Sequence, residues 1–158
     1  MDIYDEELLD LWQNLKNNSV NFIMVGGIAT NLHGYSRTTG VVDIWIEDSF
    51  ENRKNLLLSL KNIGLDYIED LQNYDFIPGW TTFKTLSGME LDIMTYLKGF
   101  PQSRFSECLS MASIAKIFDI EIPFLHINQL IEAKKATYRN KDKIDFEELE
   151  KIRNSRAI

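Results

Sequence analysis

Two adjacent glycines, Gly26 and Gly27, limit the possible folds of this chain more than any other feature, because they follow a short apolar run over residues 20–25. Such a run predicts a buried strand, and residues 28–33 have the pattern of a short helix that ends at Gly34. Glycine lets a backbone approach another group closely, and the N–H groups at a helix start suit phosphate. A Gly-Gly turn is more often structural, and the spacing fits neither a P-loop nor a dinucleotide-binding fingerprint. The pair therefore predicts a strand–turn–helix unit. Its turn either has a purely structural role or binds phosphate.

The rest of the chain predicts helices and strands in alternation. Predicted helices cover residues 5–16, 28–33, 49–62 and 128–138. Predicted strands cover residues 20–25, 41–46, 66–68, 80–86, 89–96, 114–118 and 122–127. Asp48 or Ser49 is expected to cap the third helix, with Glu51 completing a capping box from Asp48. Asp145 with Glu148 is expected to cap a final helix near the C-terminus.

This order of elements predicts an α/β (α+β) fold, in which a mixed β-sheet has flanking helices and further helices follow at the C-terminus. A length of 158 residues fits one domain over residues 1–158. Its core is expected at about residues 1–100, followed by a helical and strand extension at about residues 101–158.

Charge and composition exclude several classes of protein. The net charge of −7 argues against a surface for long nucleic acids, because phosphate contacts need clustered Lys and Arg. No apolar run is long enough for a membrane helix, so we expect no membrane partner. One cysteine, Cys108, excludes an internal disulfide, and the acidic N-terminus lacks the pattern of a signal peptide. We therefore expect a cytoplasmic protein.

Two aspartates are candidates for metal binding. Asp43 lies on the less apolar face of its predicted strand, and Asp92 lies on the second hairpin strand with its apolar neighbours on the other face. Either acid alone is an ordinary polar strand position. On adjacent strands beside Gly26 and Gly27, the two together predict a site in which carboxylates hold Mg²⁺ and a glycine backbone cradles a triphosphate tail.

Residues 25–47, VGGIATNLHGYSRTTGVVDIWIE, resemble the nucleotidyltransferase superfamily, whose fold is that of DNA polymerase β. The family pattern is an apolar residue with Gly-Gly or Gly-Ser, a short gap, Asp-x-Asp on a strand, and a third acid on a later strand. The sequence is most similar to small stand-alone nucleotidyltransferase-like proteins of bacteria, some of which are toxin–antitoxin or abortive-infection components. Four C-terminal residues resemble a tail motif of such proteins: Lys134, Arg139, Asp142 and Asp145.

The sequence departs from the family pattern at the first acid. Alignment of residues 37–40 with the family places Val41 at the first Asp of Asp-x-Asp and Asp43 at the second. Glu47 does not replace the missing carboxylate, because it starts about 13 Å along the strand from Asp43, whereas magnesium ligands lie about 2.0–2.1 Å from the ion. The resemblance therefore implies a weakened metal site and impaired activity.

The resemblance implies a reaction that depends on Mg²⁺ or Mn²⁺, in which an acceptor hydroxyl takes a nucleoside monophosphate from a nucleoside triphosphate. It implies Asp43 and Asp92 as metal ligands and catalytic residues. The phosphate-binding residues implied in the same way are Gly26, Gly27, Arg37 and Lys134. The acceptor stays open between a protein side chain, an RNA end and a small molecule. The alternative is a catalytically inactive module of toxin–antitoxin type, which binds a nucleotide or a cognate protein partner.

Several other residues have two interpretations each. Arg37 contacts phosphate or orders its loop, or it is an ordinary surface arginine. His33 touches a nucleotide or packs against the loop, and packing is favoured. Tyr35 and Trp45 flank a base or belong to ordinary packing, which is the commoner role of aromatic residues. Two residues are too isolated for metal or nucleophile roles: His126 and Cys108.

Overall fold

The computed structural model describes residues 2–36, 38–65, 75–76, 81–137 and 139–156. In these residues the helices are α1 (Glu6–Asn17), α2 (Gly26–Leu32), α3 (Phe50–Asn62), α4 (Phe105–Met111), α5 (Ile127–Thr137) and α6 (Asn140–Arg156). The strands are β1 (Phe22–Val25), β2 (Val41–Ile46), β3 (Thr82–Lys84), β4 (Glu90–Met94), β5 (Ser113–Ile117) and β6 (Ile120–Phe124). The described part of the chain thus confirms the predicted fold of a mixed sheet with flanking helices.

The described strands form one sheet in the order β3-β4-β2-β1-β6-β5. The pair of β2 and β4 is parallel, as is the pair of β1 and β6, while the other neighbours are antiparallel. The hairpin of β5 and β6 joins the same sheet as β1, so the C-terminal part of the chain extends the sheet as well as supplying helices.

The two faces of the sheet have different roles. On one face, here called the core face, Val42 and Ile44 of β2 lie fully buried, and Trp12 of α1 stacks on Phe22 of β1 at a ring-centroid distance of 5.7 Å. The opposite face, here called the site face, carries the side chains of β2 that alternate with these, including Asp43. Because every residue of β1 is buried, both faces are covered at the centre of the sheet.

The site face is more apolar than its sequence predicts at one end. Trp45 is fully buried there, its Nε1 donates to the Thr95 carbonyl at 2.8 Å, and its ring contacts Phe100 and Phe105 edge-on. Phe105 begins α4, a helix that the sequence leaves undefined. Trp45 is therefore a packing residue, and base stacking by its ring is excluded in this structure.

The start of two helices differs in detail from the prediction. Helix α2 begins at Gly26 itself, so the glycines form its first turn. Of the two candidate caps of α3, Ser49 is the cap, and its hydroxyl accepts from the Asn52 N–H at 3.1 Å. Asp48 instead pairs with Arg53 at 2.6 Å, so the predicted capping box from Asp48 is wrong.

The predicted cap of the last helix is also wrong. Helix α6 begins at Asn140, so Asp145 lies inside the helix rather than before it. The Asp145 side chain is buried at 3% exposure and pairs with Lys134 of α5. A carboxylate that binds a neighbouring helix in this way does not cap its own.

The remaining predicted elements agree with the structure to within a few residues. The hairpin around Ser87 and Gly88 is present, with β3 and β4 shorter than predicted, and Gly34 and Gly64 follow their helices with positive φ angles of 113° and 93°. The predicted strand over residues 66–68 and the first residue of the hairpin, residue 80, lie outside the described residues. No helix in the described ranges is long and apolar enough to cross a membrane.

Candidate active site

The site is built on the register between two parallel strands. Asp43 of β2 and Asp92 of β4 are direct partners in this register, so their side chains leave the same face of the sheet side by side. The two carboxyl groups lie close enough for the negative charge of Asp92 to raise the pKa of Asp43. The Thr82 hydroxyl of β3 donates to Asp92 Oδ1 at 2.5 Å and fixes the orientation of that carboxyl. The structure thus brings together the two acids that the sequence singles out.

The Gly26-Gly27 pair lies directly against Asp43. Gly26 has a φ of +70°, and a Cβ at this position would lie 2.1 Å from Asp43 Oδ2. The Gly27 N–H lies close enough to the Asp43 carboxyl to lower its pKa, and a Cβ on Gly27 would lie 2.6 Å from Thr39 Oγ1. Only glycine at both positions leaves room for the Asp43 carboxylate and the Thr39 hydroxyl. This steric requirement explains the two glycines, and the sequence alone does not reveal it.

The surroundings of Asp43 favour its protonated form. Burial raises the pKa of Asp43 to about 7, and the negative charge and hydrogen bond of Asp92 act in the same direction. The positive charge of Lys134 and the Gly27 N–H oppose this rise in pKa only in part. At neutral pH the Asp43 carboxyl is therefore protonated for much of the time, and a bound cation would displace that proton.

A cleft with a volume of ≈ 510 Å³ opens beside Asp43. Its lining combines an apolar wall with charged and polar groups. The apolar residues are Val25, Met94, Leu97, Leu125, Leu130 and Ala133. The charged and polar residues are Asp43, Lys98, Lys134, Thr137, Arg139 and Asp142. Such a lining suits a ligand with both a ring system and an ionic group.

Lys134 reaches the cleft from α5 but is held by two acids of α6. Its Nζ lies 2.9 Å from Asp145 Oδ2 and 3.7 Å from Asp142 Oδ1, and both acids are 2% exposed. Burial alone would raise the pKa of Asp142, but hydrogen bonds from Arg139 and Thr137, together with the positive charges of Lys134 and Arg139, lower that pKa. This cluster joins α5 to α6 and fixes the position of Lys134 at the cleft.

The other candidate residues have structural roles or lie elsewhere. Arg37 lies outside the described residues. His33 is buried, with Nε2 2.7 Å from the Leu125 carbonyl oxygen, so the packing interpretation agrees with the structure. Cys108 is fully buried, and burial raises the pKa of its thiol to about 11, which makes it a poor nucleophile. His126 accepts a hydrogen bond from the backbone N–H of residue 128 at 3.1 Å, at the start of α5.

Two threonines lie at the site although the sequence does not predict them there. Thr82 faces Asp92 across the hairpin, and the register of that hairpin around Ser87 and Gly88 is the pattern that could identify it. Thr39 lies against Gly27 through a loop whose path no periodicity predicts.

Comparison with solved structures identifies the fold. The lincomycin-bound crystal structure of the lincosamide antibiotic adenylyltransferase LnuA aligns with a TM-score of 0.59 and 16% identity, over 94% of this chain and 97% of that chain. An antigenic nucleotidyltransferase-like protein from Paracoccidioides brasiliensis aligns with a TM-score of 0.57 and 16% identity, over 90% of this chain and 71% of that chain. The chain has the nucleotidyltransferase fold. No protein-family model and no curated protein gives a significant match to the sequence.

The donor set at the centre of this nucleotidyltransferase fold fits a hard divalent cation. Mg²⁺ is commonly bound by one or two carboxylates together with substrate phosphates and water, and Asp43 and Asp92 supply such a pair. No group of three His, Cys, Asp or Glu side chains in the described residues is placed to hold a metal. Two carboxylates that could hold such a cation are therefore in place, and Val41 occupies the neighbouring position on the same face of β2 without an oxygen donor.

We predict that Gly26→Ala displaces the Asp43 carboxyl and destabilises the protein by at least about 1–3 kcal/mol, because the new Cβ meets Asp43 and the positive φ is strained. Urea unfolding measures the change. Gly40→Ala is the matched control, since nothing lies within 4 Å of its added Cβ. Equal stability of the two variants would contradict the close approach of Gly26 and Asp43.

We also predict a pH dependence of stability that comes from Asp43. Its pKa in the folded chain, about 7, lies above the ordinary value of 3.8, so the folded state binds the proton more tightly than the unfolded state. This contribution to the free energy of unfolding is therefore present at low pH and is lost as the pH rises towards and through 7. Asp43→Asn has no carboxyl to ionise, so its free energy of unfolding does not fall in this way as the pH rises. This variant is expected to be more stable than the wild type at alkaline pH by at least about 1 kcal/mol.

Urea unfolding at a series of pH values from about 4 to about 8 measures this difference. Asp10→Asn, a change at an exposed aspartate of α1, is the control and is expected to follow the wild-type curve. If the free energy of unfolding of Asp43→Asn and that of the wild type change in parallel with pH, the pKa of Asp43 is not raised.

Proposed function

We propose that this protein is a metal-dependent nucleotidyltransferase that moves a nucleoside monophosphate from a nucleoside triphosphate to an acceptor hydroxyl, with an activity reduced by Val41. The observation that carries the proposal is the pairing of Asp43 and Asp92 in one register position, directly against Gly26. The fold that the chain shares with LnuA supports it.

Each residue of the site has a role in this proposal. Asp43 and Asp92 hold Mg²⁺ or Mn²⁺, which when bound neutralises phosphate charge and polarises the phosphoryl group. Gly26 and Gly27 allow the triphosphate to approach the backbone closely. Lys134 supplies positive charge at the cleft, and the residue at position 37 is a further phosphate contact proposed from the sequence.

The proposed reaction is an in-line displacement at the α-phosphorus. The acceptor oxygen forms a bond to the α-phosphorus, the bond from that phosphorus to the bridging oxygen breaks, and pyrophosphate leaves. In this proposal Asp92, whose carboxyl accepts a hydrogen bond from Thr82, takes the proton of the acceptor hydroxyl. Its pairing with Asp43 keeps that carboxyl at the reacting centre.

The acceptor that we propose is a small molecule. LnuA, whose structure contains lincomycin, aligns over nearly its whole length with this chain. The apolar wall of the cleft suits an organic ligand, and the net charge of −7 disfavours a long nucleic acid. A protein side chain or an RNA end is the alternative acceptor.

A second function is supported by one specific observation. Val41 offers no metal ligand, and the described residues hold no ready group of three donors. A protein with this site could bind a nucleotide or a cognate protein partner, as in a toxin–antitoxin pair, without turnover. Nucleotide transfer by the unaltered protein would support the first function, and binding without transfer would support the second.

We predict that Val41→Asp raises the rate of nucleotide transfer by at least about tenfold, because about 1.4 kcal/mol of added transition-state stabilisation gives a factor of ten. The assay incubates the protein with Mg²⁺ or Mn²⁺ and each labelled nucleoside triphosphate and measures pyrophosphate release. Val41→Ala is the control without a carboxylate and is expected to leave the rate unchanged. If Val41→Asp neither binds metal–nucleotide nor reacts, the site assignment is wrong.

A further inference from the structure

A third carboxylate lies on the site face next to Val41. Glu90 of β4 is the direct register partner of Val41 of β2, just as Asp92 is the partner of Asp43. Residues two apart on a strand point to the same face, so these four residues occupy the corners of one rectangle on the site face. Three of the four corners carry a carboxylate, and Val41 is the exception.

We propose that Glu90 supplies the oxygen ligand that Val41 lacks, less effectively than an aspartate at position 41 would, so that the metal site is built from one acid of β2 and two acids of β4. This inference rests on the proposed function, because it concerns the same metal. It assigns Glu90 a role that neither the sequence pattern nor the resemblance gives it.

The distances on a sheet allow this substitution. Neighbouring strands lie about 4.8 Å apart, and alternate residues of one strand about 6.7 Å apart, so Glu90 starts about 8 Å from Asp43 across the diagonal. Glu90 also has one methylene more than aspartate. Glu47, by contrast, starts about 13 Å from Asp43 on its own strand. The Glu47 carboxylate also accepts hydrogen bonds from Ser49 and Asn21.

The ion pair that Glu90 makes in this structure is weak. Glu90 Oε1 lies 3.4 Å from Lys84 Nζ, and the two side chains are 39% and 66% exposed. Exposed ion pairs of this kind contribute little to stability. Because no three acids of the described ranges are grouped to hold a metal, Glu90 must rotate away from Lys84 to join Asp43 and Asp92. The rotation exchanges one exposed contact for a bond to the metal.

Mn²⁺ binding, followed by electron paramagnetic resonance at about pH 8, tests the proposal without relying on activity. The probe is Mn²⁺ alone and Mn²⁺ with ATP. The variants are Glu90→Gln, Asp43→Asn, and Val41→Asp combined with Glu90→Gln. Glu121→Gln is the matched control, because Glu121 is also an exposed strand glutamate, with Lys116 as its register partner. Circular dichroism confirms that each variant is folded.

The expected result is that Glu90→Gln lowers Mn²⁺ affinity by at least about tenfold, since loss of even an outer partner of a metal site costs that much. Glu121→Gln is expected to bind as the wild type does, and Val41→Asp is expected to restore the affinity of Glu90→Gln. If Glu90→Gln binds Mn²⁺ as the wild type does while Asp43→Asn does not, the role of Glu90 is refuted and the proposed function stands. If Asp43→Asn also leaves the affinity unchanged, the proposed function fails together with this inference.

Discussion

Two carboxylates side by side on neighbouring strands repel each other unless a proton or a cation lies between them. Asp43 and Asp92 are in this position because the register of β2 and β4 makes them partners, and the buried residues of the core face fix that register. The fold thus stabilises an arrangement that its own electrostatics oppose. The raised pKa of Asp43 follows from its burial in this arrangement and from the nearby charge of Asp92.

The rest of the structure surrounds this pair and leaves one side open. Trp45 and the first turn of α4 close the site face beyond Asp43 with apolar contacts. On the cleft side, α5 and α6 are joined by buried ion pairs of Lys134, which fix a positive charge near the carboxylates without covering them. The cleft is lined by residues of β1, β2 and β4 on the sheet and by residues of α5 and α6, so its position follows from the way these two helices cover the sheet.

The sequence alone predicts the strand that ends in two glycines. It also predicts that Asp43 and Asp92 lie on one face, because alternation along a strand fixes the side on which each residue lies. It does not predict the burial of Trp45, because this burial depends on α4, a helix whose residues have no clear hydrophobic periodicity. The local pattern at Asp145 wrongly predicts a cap, because its actual partner, Lys134, comes from another helix. Thr82 depends on the register of the hairpin, and the functional roles of the site residues stay predictions.

Titration of the aspartate side chains, followed by carbon-13 nuclear magnetic resonance, shows directly whether Asp43 and Asp92 converge in a buried position. If they do, one carboxyl resonance is expected to titrate at about pH 7, and its midpoint is expected to fall in an Asp92→Asn variant. Titration of both groups near the ordinary aspartate value of about 3.9, with no response to that substitution, would contradict the convergence of the two acids.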